Sequence, residues 1–139
     1  MTIIEDAQGR LTNWAKAINE REKRLDVSIE VADLLPAVTS LKGWGYFSAI
    51  VGLDESEMLA VLYVFCAGDT VLTLKVQLTH DSPHLPSLYS ILPATLLQER
   101  ELAEMFGIEI DGIPDNSRFL LPDEWPDGVY PLRKDALLD

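Results

Sequence analysis

The chain has a single cysteine, Cys66, among 139 residues. No disulfide can close within it, and it cannot by itself hold an iron–sulfur cluster of the usual four-thiolate kind. Cys66 sits in the apolar run Leu59–Ala67 and reads as a small buried hydrophobe. Cations are scarce as well. Lys and Arg number 11 against 23 Asp and Glu, a net charge of -12. Phosphate contacts need clustered Lys and Arg, so nucleic-acid binding is excluded, and the same charge opposes docking on an anionic membrane surface. No apolar run approaches the roughly 20 residues that a bilayer-spanning helix needs. The N-terminus has no signal-peptide pattern. The expectation is a soluble, cytoplasmic protein that meets a membrane only through partners.

Chemistry-bearing motifs are equally sparse. Gly43 and Gly45 flank Trp44 without forming a phosphate or dinucleotide fingerprint. His80 and His84 have a spacing used in metal sites, but Pro83 and Pro86 prevent the helix that would align them. No third ligand is evident. The expectation is no catalytic, cofactor-binding or metal-binding residue in this chain.

What is present suffices for one α+β domain. Hydrophobic residues make up 47% and charged residues 24%, ordinary values for a chain that buries a core. Leu11, Trp14, Ala15 and Ile18 are spaced for an amphipathic helix over 11–25. Val27, Ile29 and Val31 alternate with polar residues, as in a short strand. Asp33 is placed to cap a helix from Leu34 to Lys42, closed by Gly43. Three strands follow: Tyr46–Leu53, Glu57–Ala67 and Thr70–Thr79, the last two joined by Gly68-Asp69. In the third, Leu72, Leu74, Val76 and Leu78 alternate with Thr73, Lys75, Gln77 and Thr79, which predicts an antiparallel sheet with one face on a core. His80–Pro86 reads as a turn-rich loop, with a short helix near Ser87–Ser90. A longer helix runs from Ala94 to Phe106, ended by Gly107, and Ile108 and Ile110 suggest a short edge strand. The fold class is α+β: an antiparallel sheet covered by helices on one face, with an extended C-terminal arm.

The arm follows from a change of pattern. Residues 1–112 read as the domain. Residues 113–139 carry prolines at 114, 122, 126 and 131 and no sustained helical period. Yet Phe119-Leu120-Leu121, Trp125 and Leu137-Leu138 are too apolar for a solvated tail. Ordering about 25 residues costs about 1–2 kcal/mol each in backbone entropy, which an apolar surface must offset. The arm is therefore expected to pack partly on a partner; folding back on its own domain is the alternative.

The helix ahead of the arm concentrates charge. At 100° per residue, Leu102, Phe106, Ala103 and Thr95 share one side, while Arg100, Glu101, Glu104 and Leu97 share the other. Glu99 projects into the apolar side. Burying a carboxylate unpaired costs several kcal/mol, so a cation is expected to meet it: Arg118, Arg133, Lys134 or an arginine of a partner. No nucleophile or metal set accompanies the carboxylates, so acid–base catalysis is not expected.

Glu99-Arg100-Glu101, Met105-Phe106-Gly107-Ile108, Gly112 with Pro114-Asp115, and Pro131-Leu132-Arg133-Lys134-Asp135 together resemble one family signature. It is that of the 30-kDa subunit of respiratory NADH dehydrogenase (complex I) and its relatives in membrane-bound NiFe hydrogenases. Tyr46-Phe47, Val61–Phe65, Leu72–Leu78 and Pro86-Ser87-Leu88 fit the same layout, so the resemblance spans roughly residues 27 to 137. Respiratory members usually have tryptophan where Leu97 stands, aspartate for Glu104, a histidine for Ile113 and an arginine for Ser117 ahead of Arg118. With the tail Leu121–Pro131, these departures point to the hydrogenase branch, which includes formate hydrogenlyase. There the domain is fused ahead of the NiFe large subunit. This chain ends at Asp139 and is expected to be a free-standing small subunit.

The resemblance implies a scaffold without a redox centre. The NiFe centre and the iron–sulfur clusters would lie in partner subunits. The partners would be the hydrogenase large subunit (or a quinone-site subunit) and the iron–sulfur subunits, at the cytoplasmic face of the membrane. It also marks Glu99, Arg100, Glu101, Glu104, Phe106, Gly107, Pro114, Asp115, Arg118, Pro131, Leu132, Arg133, Lys134 and Asp135 as interface or structural positions.

Overall fold

The computed structural model describes residues 1–114 and 120–136. In chain order the elements are α1 (Ile3–Leu11), β1 (Ala17–Arg21), β2 (Arg24–Ser28), α2 (Leu34–Ser40), β3 (Tyr46–Asp54), β4 (Leu59–Ala67), β5 (Thr70–Leu78), β6 (His84–Pro86), α3 (Leu96–Phe106) and β7 (Glu109–Asp111). Single turns of 3-10 helix, Val31–Asp33 and Pro93–Thr95, lead into α2 and α3. The α+β class holds. β1 to β5 form one sheet in the order β1-β2-β5-β4-β3, and β6 pairs with β7 in a second, two-stranded sheet.

The chain divides into two compact units, Met1–Val51 with Val61–Gln77, and Gly52–Ala60 with Leu78–Asp139. In the first, Ala7 and Leu11 of α1 are buried, as are Leu34, Ala37 and Val38 of α2, and the two helices pack together. The Arg10 guanidinium ties them by donating to the carbonyl oxygens of Ser40 and Lys42 at 2.9 and 2.8 Å, a cation placed at the C-terminal end of α2. β5 shows the predicted alternation, with Leu72, Leu74 and Val76 buried and Thr73 and Lys75 half-buried between them. In β4 the same alternation buries Tyr63 and Phe65 and leaves Cys66 only half-buried, not in the core as expected.

Two expectations are corrected here. The helix read over 11–25 is instead the end of α1 followed by the β1–β2 hairpin. α1 stops at Leu11, whose carbonyl accepts from Trp14 and Ala15. β1 is exposed along its whole length, and Lys23 makes the hairpin turn with φ +59°. The sheet is also not purely antiparallel. β1–β2 is, but β2 and β5 run parallel, with Leu25 opposite Leu72 and Val27 opposite Leu74. α2, β3 and β4 intervene between those two strands, and so long a crossover is what parallel pairing requires.

The second unit holds α3, β6, β7 and the tail. Gly52 of β3 lets α3 approach: a Cβ there would meet the Phe106 ring at 2.5 Å and Leu102 at 3.0 Å. Leu102, Phe106 and Thr95 are buried and Leu97 is exposed, as the helical period predicts. The short helix expected near Ser87–Ser90 is a turn, with the amides of Ile91 and Leu92 donating to Leu88. Part of the expected loop 80–86 is the strand β6. Ile110 lies in the predicted edge strand, β7, and Ile108 immediately precedes it.

Candidate subunit interface

α3 carries the densest set of predicted positions, and Glu99 is at its centre. The side chain is 1% exposed. Oε1 accepts from the Ser87 hydroxyl at 2.7 Å and Oε2 from the Leu88 amide at 2.8 Å. Burial nevertheless pushes the Glu99 pKa up against these bonds. Among the described residues the groups that meet Glu99 are neutral, and neither Arg133 nor Lys134 is the expected cation. One donor on each oxygen meets the buried carboxylate without a second desolvated charge. Arg133 and Lys134 are engaged elsewhere, and Arg118 lies outside the described residues. What Glu99 does is fasten the Pro86-Ser87-Leu88 turn to α3.

The tail comes back to α3 at several points. The two Glu104 carboxylate oxygens accept from the amides of Leu120 and Leu121, each at 2.9 Å. The Leu132 amide donates to the Met105 carbonyl at 3.1 Å. Arg133 Nε donates to the Phe106 carbonyl at 2.6 Å, and its guanidinium carbon lies 5.1 Å from the centroid of the Tyr130 ring. The Tyr130 ring in turn covers Gly107, which ends α3 with φ +71°. At that φ a side chain is strained, and a Cβ would also collide with the ring.

Lys134 reaches the turn after β3. Its amide donates to Asp54 Oδ2 at 2.8 Å and its Nζ to the Ser56 hydroxyl at 2.9 Å. Asp54 also accepts from the Ser56 amide and meets His80 Nε2, both at 2.9 Å. The Lys134 backbone bond foremost, helped by Ser56 and His80, lowers the Asp54 pKa to about 2. The acceptors Asp54 and Ser56 were not visible in the sequence, where His80 stood out only for its spacing from His84. Nothing in an Asp-Glu-Ser turn announces that it will hold a segment from the far end of the chain.

The other predicted positions are less enclosed. Arg100 is half-buried and lines a cleft with Glu104, Leu121, Trp125 and Tyr130, while Glu101 and Pro114 are exposed. Pro131 is half-buried, Leu132 and Asp135 are exposed, and Asp115 lies outside the described residues. The two histidines, considered together in the sequence, part company. His80 goes to Asp54, whereas His84 lies between Glu109 and Asp111 at 3.4 and 3.3 Å. Those three side chains can each offer a ligand atom within 4.8 Å of the others, and all are exposed.

The family described as respiratory-chain NADH dehydrogenase, 30 Kd subunit, matches residues 27–139. The chain belongs to this family. Among its relatives, membrane-bound hydrogenase subunit beta of Pyrococcus furiosus is 45% identical, over 91% of this chain and 71% of its own length. Formate hydrogenlyase subunit 5 of Escherichia coli is 35% identical over 85% of this chain, but the chain spans only 22% of that relative. An NADH-quinone oxidoreductase subunit of Moorella thermoacetica is 34% identical over 76% of the chain and 74% of the relative.

Two solved structures share the fold. One is a chain of the membrane-bound sulfane sulfur reductase, an archaeal respiratory membrane complex, with TM-score 0.78, 22% identity and coverage of 97% of this chain and 85% of that one. The other is a trypsin-resistant fragment of Nqo5, with TM-score 0.65, 24% identity and coverage of 81% and 96%. The family match thus includes α3, its glycine stop and the returning tail. Among the described residues no helix is long and apolar enough to cross a membrane.

Proposed function

We propose that this chain is a non-catalytic scaffold subunit of a membrane-bound, energy-converting NiFe hydrogenase complex. In this reading α3 and the 113–139 arm form its docking element for the large subunit, the NiFe centre and iron–sulfur clusters belong to the partner subunits, and the chain meets the membrane through them. The observation that carries the reading is the 45% identity to a membrane-bound hydrogenase subunit beta over 91% of this chain. The internal bonding of the site supports it. Glu99, Glu104, Arg133 and Lys134 bond to backbone groups and hydroxyls, which suits building a surface more than acting on a substrate. Among the described residues Leu97, Leu120 and Leu132, 58%, 48% and 52% exposed, are apolar contacts this surface offers.

A second reading is the equivalent 30-kDa subunit of an NADH- or other donor:quinone oxidoreductase, favoured by 34% identity to an NADH-quinone oxidoreductase subunit of which the chain spans 74%. Isolation of the tagged chain with its associated subunits separates the two. Stoichiometric nickel in the assembly is the result expected. A flavin- and NADH-linked assembly without nickel would favour the second reading, and an unaccompanied monomer would overturn both. L97D and L132D should each weaken association while leaving the thermal transition of the isolated chain within a few degrees, as surface substitutions do.

A further inference from the structure

The two short strands of the second unit leave one edge open. β6 and β7 run parallel with Leu85 opposite Ile110. The Glu109 amide donates to the Pro83 carbonyl at 2.9 Å and the Ser87 amide to the Asp111 carbonyl at 2.8 Å. The peptide groups of Glu109 and Asp111 therefore face β6. Since a parallel ladder alternates, those of Ile108 and Ile110 face the other way, where the Ile110 carbonyl accepts one long bond from the Ile113 amide at 3.4 Å. Among the described residues no strand lies beyond β7. A cleft of about 530 Å³ runs along that edge instead, lined by residues 107–113 with Ala103 and Tyr130.

The edge has two different sides. Ile108 and Ile110 are buried, whereas Glu109 and Asp111 are exposed on the opposite side with His84 between them. We propose that this edge takes an extended segment of a neighbouring subunit as a third strand, and that the segment alternates basic and apolar residues. The proposal rests on the subunit reading above and assigns it a second contact. Outward-facing amides and carbonyls bind an extended backbone whatever its sequence, while alternate side chains select it. Cations two residues apart fall on one face of a strand and would lie along Glu109 and Asp111. The chain as a whole carries -12, which favours a basic partner segment. A second copy of this chain would bring its own two carboxylates to the same edge, and like charges opposed across strands repel.

The test is amide hydrogen exchange resolved at single residues, on the full chain alone and within the assembly isolated through it. Strand addition slows exchange at Ile108 and Ile110 by about tenfold or more in the assembly. The Asp111 amide, which faces β6, changes little. An E109K/D111K variant loses that slowing and associates more weakly. An assembly that forms but leaves Ile108 and Ile110 exchanging as in the free chain overturns this inference and leaves the subunit reading standing. Absence of any assembly overturns both. If zinc alone slows the two amides in the isolated chain, or if raising its concentration does, the occupant is a metal ion at His84, Glu109 and Asp111 or a second copy, and the proposal fails.

Discussion

Arg133 donates its Nε–H to the carbonyl oxygen of Phe106 at 2.6 Å, so the last turn of α3 is closed by a cation that arrives 27 residues later in the chain. The final carbonyls of a helix have no partner within it and carry the negative end of its dipole. A guanidinium there satisfies one of them with a charge-assisted bond. Its contact with the Tyr130 ring holds the fork in place. R133A should therefore lower stability by about 1.5–3 kcal/mol, the usual range for a bond to a charged group. R133K should recover part of the loss, because an ammonium reaches the carbonyl without the planar stacking. Denaturant titration of the three proteins measures both; equal stability of R133A and the parent would remove Arg133 from the account of the helix end.

Glu99 behaves oppositely to most carboxylates in ion pairs. Its folded pKa is raised by burial, so its contribution to stability is full below the unfolded value of 4.5 and is lost as pH rises through the folded value. E99Q removes this titration but puts an amide donor where one of the neutral donors needs an acceptor. At neutral pH it should cost about 1–3 kcal/mol. E99A leaves the Ser87 hydroxyl and the Leu88 amide unmet and should cost more, with faster exchange at Leu88. Stability curves of parent and E99Q between pH 4 and 7 should converge as pH rises; parallel curves would sink this account.

Asp54 has the opposite sign. Its pKa falls from 3.8 to about 2, chiefly through the Lys134 amide. Its stabilisation is present above 3.8 and disappears as pH falls toward about 2. D54N should destabilise the chain at neutral pH, with the difference from the parent shrinking across that acid window. The measurement is thermal unfolding at a series of pH values. A difference that stays constant down to pH 2 would show that Asp54 holds Lys134 no better charged than neutral.

Gly107 carries two separable constraints. G107A meets a strained φ of +71° and the Tyr130 ring. The first costs about 1 kcal/mol or more and the second about 1–3. In a Tyr130→Ala background only the first should remain, so the two substitutions should couple favourably by more than about 0.5 kcal/mol in a double-mutant cycle. Simple additivity would mean that the ring moves aside freely.

The legible parts of this fold were those in which a period and a punctuation mark agreed. β5 alternates and starts after Gly68-Asp69; α3 keeps a 3.6-residue period and stops at Gly107. The β1–β2 hairpin was hidden for the opposite reason. Leu11, Trp14, Ala15 and Ile18 fit a helix by spacing, β1 is exposed on both faces, and the turn uses Lys23 at positive φ in place of a glycine or asparagine. Burial of Glu99 was legible because a carboxylate interrupted an apolar face. Its partners were not, because a hydroxyl and a backbone amide from the 86–88 turn leave no charge pattern to read. The α3 contacts of the arm were partly legible: Arg133 and Glu104 stood out as residues, but their acceptor and donors are main-chain groups.

Those main-chain groups set what the arm can become. Leu120, Leu121, Leu132 and Lys134 are each fixed through the peptide N–H, to Glu104, Met105 and Asp54. A fastening of this kind is indifferent to what hangs from the backbone and excludes only proline, which has no N–H to give. The outward side chains at 120 and 132 can therefore be exchanged without loosening the arm, whereas that of Lys134 adds a bond to Ser56. The same scaffold could be recut for different neighbours by changing its facing alone.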